Sequence, residues 1–274
     1  VKAKLEIWLT HLVVVVFVAF ALYPVLWVIA TAFSAGTSPE RSVVPLPRGF
    51  SLVHVQEFFS APHIASQILS SLGVALATAF VGVAIALPAA YALSRFSFVG
   101  KELGVRAVLA TQMFPTVASA VPLYILLDWL HMLDTRSGLV LCYATTAVPF
   151  AIFQLRGAFD SIPKELEEAA MVDGATRFGA FVRVVLPAAR PAIAVTVLFA
   201  FMSAYNEFIL AATILGREES LTLPVVLQRY VGQHGAAWGT FAAGSIVVSL
   251  PVMLLFYLVQ RHMIAGLTAG GVKG

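Results

Sequence analysis

Charge is what this chain has least of. Of its 274 residues, 11% are Asp, Glu, Lys or Arg and 60% are hydrophobic, whereas a soluble domain carries about 25% and about 45–50%. A surface facing water must be polar, so the deficit excludes an ordinary soluble globule and makes lipid the solvent for much of the chain. The mean hydropathy of +0.92 agrees. Cysteine is nearly missing. Cys142 stands alone inside an apolar run, which excludes an internal disulfide and reads as a small buried hydrophobe. The basic residues are spread singly, so the net charge of +3 gives no track for nucleic acid. The sequence holds no GxxxxGK[S/T], HExxH or GxSxG, and its six histidines are scattered. No ATP loop, metal centre or nucleophile elbow is therefore expected on this polypeptide.

What is present is a set of six apolar runs. They cover 11–33, 68–93, 105–127, 138–155, 191–215 and 241–260, each near the roughly 20 residues that a helix needs to cross about 30 Å of hydrocarbon. Backbone groups in lipid must be satisfied within the segment, so the runs predict helices, and short alternating barrel segments are missing. The first run exceeds the roughly 7–15 residues of a signal core and lacks a clear cleavage site, so it is expected to be retained. With six spans both termini share a side. That side carries twelve of the 17 basic residues and the other side five, which predicts cytoplasmic termini. Loops 34–67, 128–137 and 216–240 then face outward, and 94–104 and 156–190 face the cytoplasm. Three prolines in the first of these, Pro45, Pro47 and Pro62, predict an irregular, partly extended cap.

The cytoplasmic loop 156–190 has helical content of its own. Ser161 to Gly174 reads as a short helix, with Asp160 or Ser161 as cap, Pro163 early, and Glu165, Glu167 and Glu168 toward the positive end of the dipole. Gly174 supplies a stop. A second helix follows, capped by Thr176, with Phe178, Phe181, Val182 and Val185 at helical spacing and Pro187 as its end. Such an elbow, with an apolar stripe facing water, predicts docking onto a soluble partner.

Glu168-Ala169-Ala170, then Gly174, then Val184-Val185-Leu186-Pro187 resembles the EAA loop of binding-protein-dependent ABC importers. The likeness runs along the chain. Gln112–Thr116, Trp238–Ala243 and the terminal Gly266–Gly274 resemble the smaller membrane subunit of maltose and maltodextrin importers. The resemblance implies an all-α polytopic protein, one permease domain over 1–274 with six spans in the type I importer arrangement, in a bacterial inner membrane. It implies a coupling role for Glu168, Ala169, Ala170, Gly174, Phe178, Phe181, Leu186 and Pro187. It also implies contact of the tail, Gly270, Gly271, Val272, Lys273 and Gly274 within 261–274, with the ATPase. The implied partners are a larger second permease, a homodimeric cytoplasmic ATPase carrying ATP and Mg, an extracytoplasmic sugar-binding protein and the bilayer. No cofactor is expected on this chain, which is read as a transporter subunit and not an enzyme. The expected cargo is maltose or maltodextrin. Trehalose, other oligosaccharides and a glycerol-phosphate compound stay open, because Tyr205-Asn206-Glu207-Phe208 resembles the wider sugar-permease group. An ion-driven carrier is the remaining alternative, and a lone intramembrane acid counts against it.

That acid is Glu207, with Asn206 beside it. A carboxylate at a helix centre costs about 2.5–3.5 kcal/mol on insertion scales, so it must face a cavity or a partner. Two roles stay open: lining the translocation path with Asn206, or bonding between helices. Pro115, Pro122 and Gly73 are expected to bend or interrupt their spans.

Overall fold

A computed structural model describes residues 2–36, 44–47, 49–231 and 236–270. Thirteen α-helices occur among them: α1 (Lys2–Ala32), α2 (Val53–Ser60), α3 (Ile64–Arg95), α4 (Lys101–Gln112), α5 (Thr116–Trp129), α6 (Arg136–Asp160), α7 (Glu165–Val172), α8 (Arg177–Ala180), α9 (Leu186–Ala188), α10 (Arg190–Tyr205), α11 (Ile209–Ile214), α12 (Leu223–Arg229) and α13 (Trp238–Gly270). Four are long and apolar enough to cross a membrane. The pairs α4/α5, bent by 101°, and α8–α9/α10, bent by 75°, raise the number to six if each is one span. No strand is formed among the described residues, where the one bridge joins Ser34 to Phe50. The protein is all-α and polytopic.

The chain divides into two compact units. The first takes residues up to 65 and 226–251. Its helix α1 presents apolar side chains such as Trp8, Phe17 and Phe20 outward along most of its length, as a lipid-facing helix does. At its far end Ala32 packs with Ala242 and Ala243 of α13 and with Phe33, Val55 and Ile246. Among the described residues after α1, 44–47 and 49–52 are irregular and Val53–Ser60 form α2. Phe33 stacks on Phe50 at 5.6 Å, and α2 turns His54 and Phe58 inward. A Cβ on Gly239 would lie 2.2 Å from the His54 ring, so only glycine permits this approach. The Thr240 hydroxyl donates to Glu57 at 2.6 Å and holds that carboxyl below its ordinary value, with His54 helping against desolvation.

The second unit takes residues 66–225 and the end of α13. Ala86 and Ala90 of α3 meet Ala151 of α6, with Ile152, Leu155 and Phe159 completing the core. Small residues let helices approach closely where lipid supplies no hydrophobic drive between them. The segment 218–223 is latched to the start of α3: Gln67 donates to the Glu218 carbonyl at 2.8 Å, Ser70 to that of Ser220 at 2.6 Å, and the Leu223 N–H to Ser71 at 2.6 Å.

Two of the six expected spans are interrupted. Run 105–127 breaks at 113–115, with Pro115 in extended conformation as the N-cap of α5, where proline supplies a fixed φ and no donor is needed. Pro122 and Gly73, by contrast, lie inside continuous helices α5 and α3. Run 191–215 breaks after Tyr205 and resumes at Ile209. The last helix continues to Gly270, ten residues beyond the expected end of its span.

Candidate functional site

The elbow between α6 and α10 comes first. Helix α6 runs through Asp160, so Asp160 and Ser161 finish that helix and do not cap the next one; α7 starts at Glu165, and its N-cap Lys164 makes no side-chain capping bond. Asp160 pairs instead with Arg156 at 3.6 Å. Gly174 sits at φ +91°, the left-handed backbone that glycine accepts without strain. Thr176 caps α8, its hydroxyl accepting from the Gly179 N–H at 3.0 Å. Pro187 does not end the run. Residues Phe181–Val185 form one π turn that leads into α9. A proline has no N–H for the carbonyl four residues back, and the wider turn absorbs that loss. The break falls at Ala189, where the chain bends into α10.

The apolar stripe of this segment is split. Phe181 is 8% exposed, with Tyr91 at 4.4 Å and Phe159 at 6.2 Å between ring centroids. Val185 is buried with it. The expectation of an outward Phe181 is therefore corrected: it docks the elbow onto α3 and α6. What faces outward is Phe178, 74% exposed, Val172, 87% exposed, and Leu166 and Val182. Glu168, Ala169 and Gly174 share that exposure, Ala170, Leu186 and Pro187 being partly covered.

Glu167, next to the EAA glutamate, points the other way. Its carboxylate is ion-paired with Arg95 Nε and accepts from the Tyr91 hydroxyl at 2.8 Å. Both partners of the pair are 7% exposed. Arg95 also donates to the Ile162 carbonyl and to Ser94, each at 3.0 Å. The elbow is thus fastened to the end of α3 by a buried, fully bonded charge pair. Sequence reasoning missed it because 72 residues separate the partners.

The second feature is a cavity of about 330 Å³ among α3, α4, α5, α6 and α10. Glu207 lines it from the break after α10. Its carboxylate accepts the Leu210 N–H at 3.0 and 3.1 Å and the Ala211 N–H at 3.2 Å, which caps α11, and the Tyr143 hydroxyl at 2.9 Å. Glu207 thus makes a bond between helices, one of its two open roles, and it does so at a cavity wall. Thr78, Gln112, Thr116 and Ser203 add polar groups, and Phe114, Phe150 and Phe199 add rings. Asn206 is exposed and is not among the cavity's lining residues. Gly270 is the last residue of α13, and Gly271, Val272, Lys273 and Gly274 lie outside the described residues. Among the described residues no group of three His, Cys, Asp or Glu could hold a metal.

Comparison with known proteins fits this geometry. Residues 82–268 match the family described as "Binding-protein-dependent transport system inner membrane component". A trehalose transport system permease of Mycobacterium tuberculosis is 34% identical over 94% of both chains. A maltose/maltodextrin transport system permease of Vibrio vulnificus is 34% identical over 99% of this chain and 97% of its own. In fold, a subunit of a bacterial ABC transporter for import of the acidic polysaccharide alginate superposes with a TM-score of 0.79 at 22% identity, covering 95% of this chain and 97% of that one. The chain belongs to the family of binding-protein-dependent transport system inner membrane components, as a multi-pass permease subunit of the sugar-importer kind and not an enzyme.

Proposed function

We propose that this chain is the smaller permease of an ATP-driven importer of maltose, maltodextrin or a similar saccharide, with both termini in the cytoplasm. One observation carries the reading. The elbow α7–α9 exposes Glu168, Ala169, Val172 and Phe178, while its reverse side is fixed to α3 and α6 by Phe181 and the Arg95–Glu167 pair. An element with one face open and the other rigidly seated transmits the movement of whatever grips the open face. A homodimeric ATPase carrying ATP and Mg is the proposed grip, and a larger permease completes the path. A sugar-binding protein delivers cargo from outside, against the loop 216–240. Closure of the ATPase then biases two arrangements of the helices, which requires differential contact in each. Glu207 lines the path in this reading, and the tail 271–274 reaches the ATPase.

Trehalose has equal support from the relatives, at the same 34% identity as maltose. The test is to purify the complex and measure which saccharide, loaded on its binding protein, raises ATP hydrolysis and is imported into proteoliposomes. Ala170→Asp is expected to reduce both together and to release the ATPase. Full-speed import by an intact Ala170→Asp assembly would sink the reading.

A further inference from the structure

Both interrupted spans are tied to the same turn of α6. The first break, 113–115, follows Gln112, the last residue of α4, whose side-chain amide donates to the Thr146 carbonyl of α6 at 3.2 Å. The second break, 206–208, holds Glu207, which accepts the Tyr143 hydroxyl of α6 at 2.9 Å. Tyr143 and Thr146 are themselves joined, since the Thr146 hydroxyl donates to the Tyr143 carbonyl at 3.0 Å. One line of hydrogen bonds therefore runs from the end of α4, across a single turn of α6, to the start of α11, where Glu207 also accepts the Leu210 and Ala211 N–H groups. The turn is a firm anchor. A Cβ on Gly82 of α3 would lie 3.3 Å from that of Ala147, so α3 backs α6 at close range. The four residues so joined, Gln112, Tyr143, Thr146 and Glu207, all line the cavity.

Resting on the permease reading, we propose that Tyr143 and Gln112 are positioning residues for transport, which make the two breaks move together around the cavity. A break in an apolar span lets the helix bend there, because its backbone ladder is already interrupted. A path whose two walls bend at separate times is open to both sides for part of the cycle. In a poorly hydrated interior, a polar side chain that leaves its partner finds no water to replace it. While both bonds hold, α4 and α11 therefore move with the α6 turn, and so with each other. Glu207 keeps its backbone donors when the tyrosine hydroxyl is removed, so the start of α11 does not depend on Tyr143 for its cap.

The test compares Tyr143→Phe, Gln112→Leu and the double variant in proteoliposomes of the whole complex, with maltose or trehalose loaded on its binding protein. The readout is saccharide imported per ATP hydrolysed, taken beside the melting temperature of each complex. Each single variant is expected to lower that ratio about three- to tenfold, the equivalent of one hydrogen bond. The double variant is expected to fall no further than the weaker single one, because either cut already frees the breaks from each other. Losses that multiply in the double variant show two independent clips and overturn the proposal. So does an unchanged ratio in both single variants, and so does a loss that disappears on assay at lower temperature, where the variants are fully folded. Import by wild type separates the two levels. If wild type imports a saccharide and the variants match it, the joint movement falls and the permease reading stands. If wild type hydrolyses ATP and imports no saccharide, both fall.

Discussion

Asp134 holds a left-handed backbone at φ 55°, which Asp and Asn tolerate through local bonds. Its carboxylate accepts the Gly216 N–H at 2.9 Å, the Arg217 N–H at 3.0 Å and Arg217 Nε at 2.8 Å. The bond from the Arg217 N–H, then those from Gly216 and the guanidinium, hold the carboxyl below its ordinary value against some desolvation. A lowered carboxyl stabilises the fold fully above the ordinary carboxylate range and loses that contribution as pH falls through the range and below it. Asp134→Asn keeps the backbone conformation and removes the charge. It is expected to lower the melting temperature at neutral pH by a few degrees at most, since the pair is partly exposed, and to converge with wild type in strong acid. Parallel melting curves of the two proteins at every pH would refute this. None of the clamp is legible in sequence, because Asp134 and Arg217 are ordinary loop residues 83 positions apart. Glu207 was legible as an anomaly, an acid in an apolar run; its partner Tyr143 was not. Gly174 was legible outright, because only a stop explains a glycine between two amphipathic segments.

At the scale of elements, spacing finds helices better than it finds which side they bury. Phe178, Phe181, Val182 and Val185 fit one helical stripe on paper, yet the π turn and the wall of Tyr91 and Phe159 bury the second and fourth and leave the first and third outside. The wall comes from α3 and α6, which the loop's own sequence does not mention. The consequence is a pair of separable variants. Phe181→Ala removes a buried ring and is expected to cost about 3–5 kcal/mol, seen as a lower melting temperature of the solubilised subunit. Phe178→Ala removes an exposed ring. It is expected to leave melting unchanged and to weaken retention of the ATPase during purification. Equal loss of stability in both would contradict the division of faces. The breaks at 113–115 and 206–208 were hidden for a different reason. Hydropathy sums over a window, and a bent or capped helix has the same sum as a straight one. Only Pro115 and Glu207, each able to serve a helix start, marked the positions.

For the molecule as a whole, the question is how movement at the elbow reaches the membrane helices. A helical elbow held by aromatic packing alone could slide, because packed rings have neighbouring minima of similar energy. The Arg95–Glu167 pair does not slide. With both side chains buried and bonded further to Tyr91 and Ile162, any shift of α7 against α3 leaves charge without a partner. Removing one member of such a pair costs about 3–5 kcal/mol, whereas replacing both by apolar groups is often neutral in stability. That asymmetry distinguishes a strut from a mere stabiliser. Glu167→Gln is expected to lower the melting temperature and the sugar imported per ATP hydrolysed. Arg95→Met with Glu167→Leu is expected to recover melting but not the coupling ratio, because the rigid link stays lost. If the double variant recovers both, the pair serves stability alone and the elbow is driven through Phe181. If neither variant alters the import-to-hydrolysis ratio, transmission runs elsewhere, and the bent junction at Ala189 between α9 and α10 becomes the element to rigidify next.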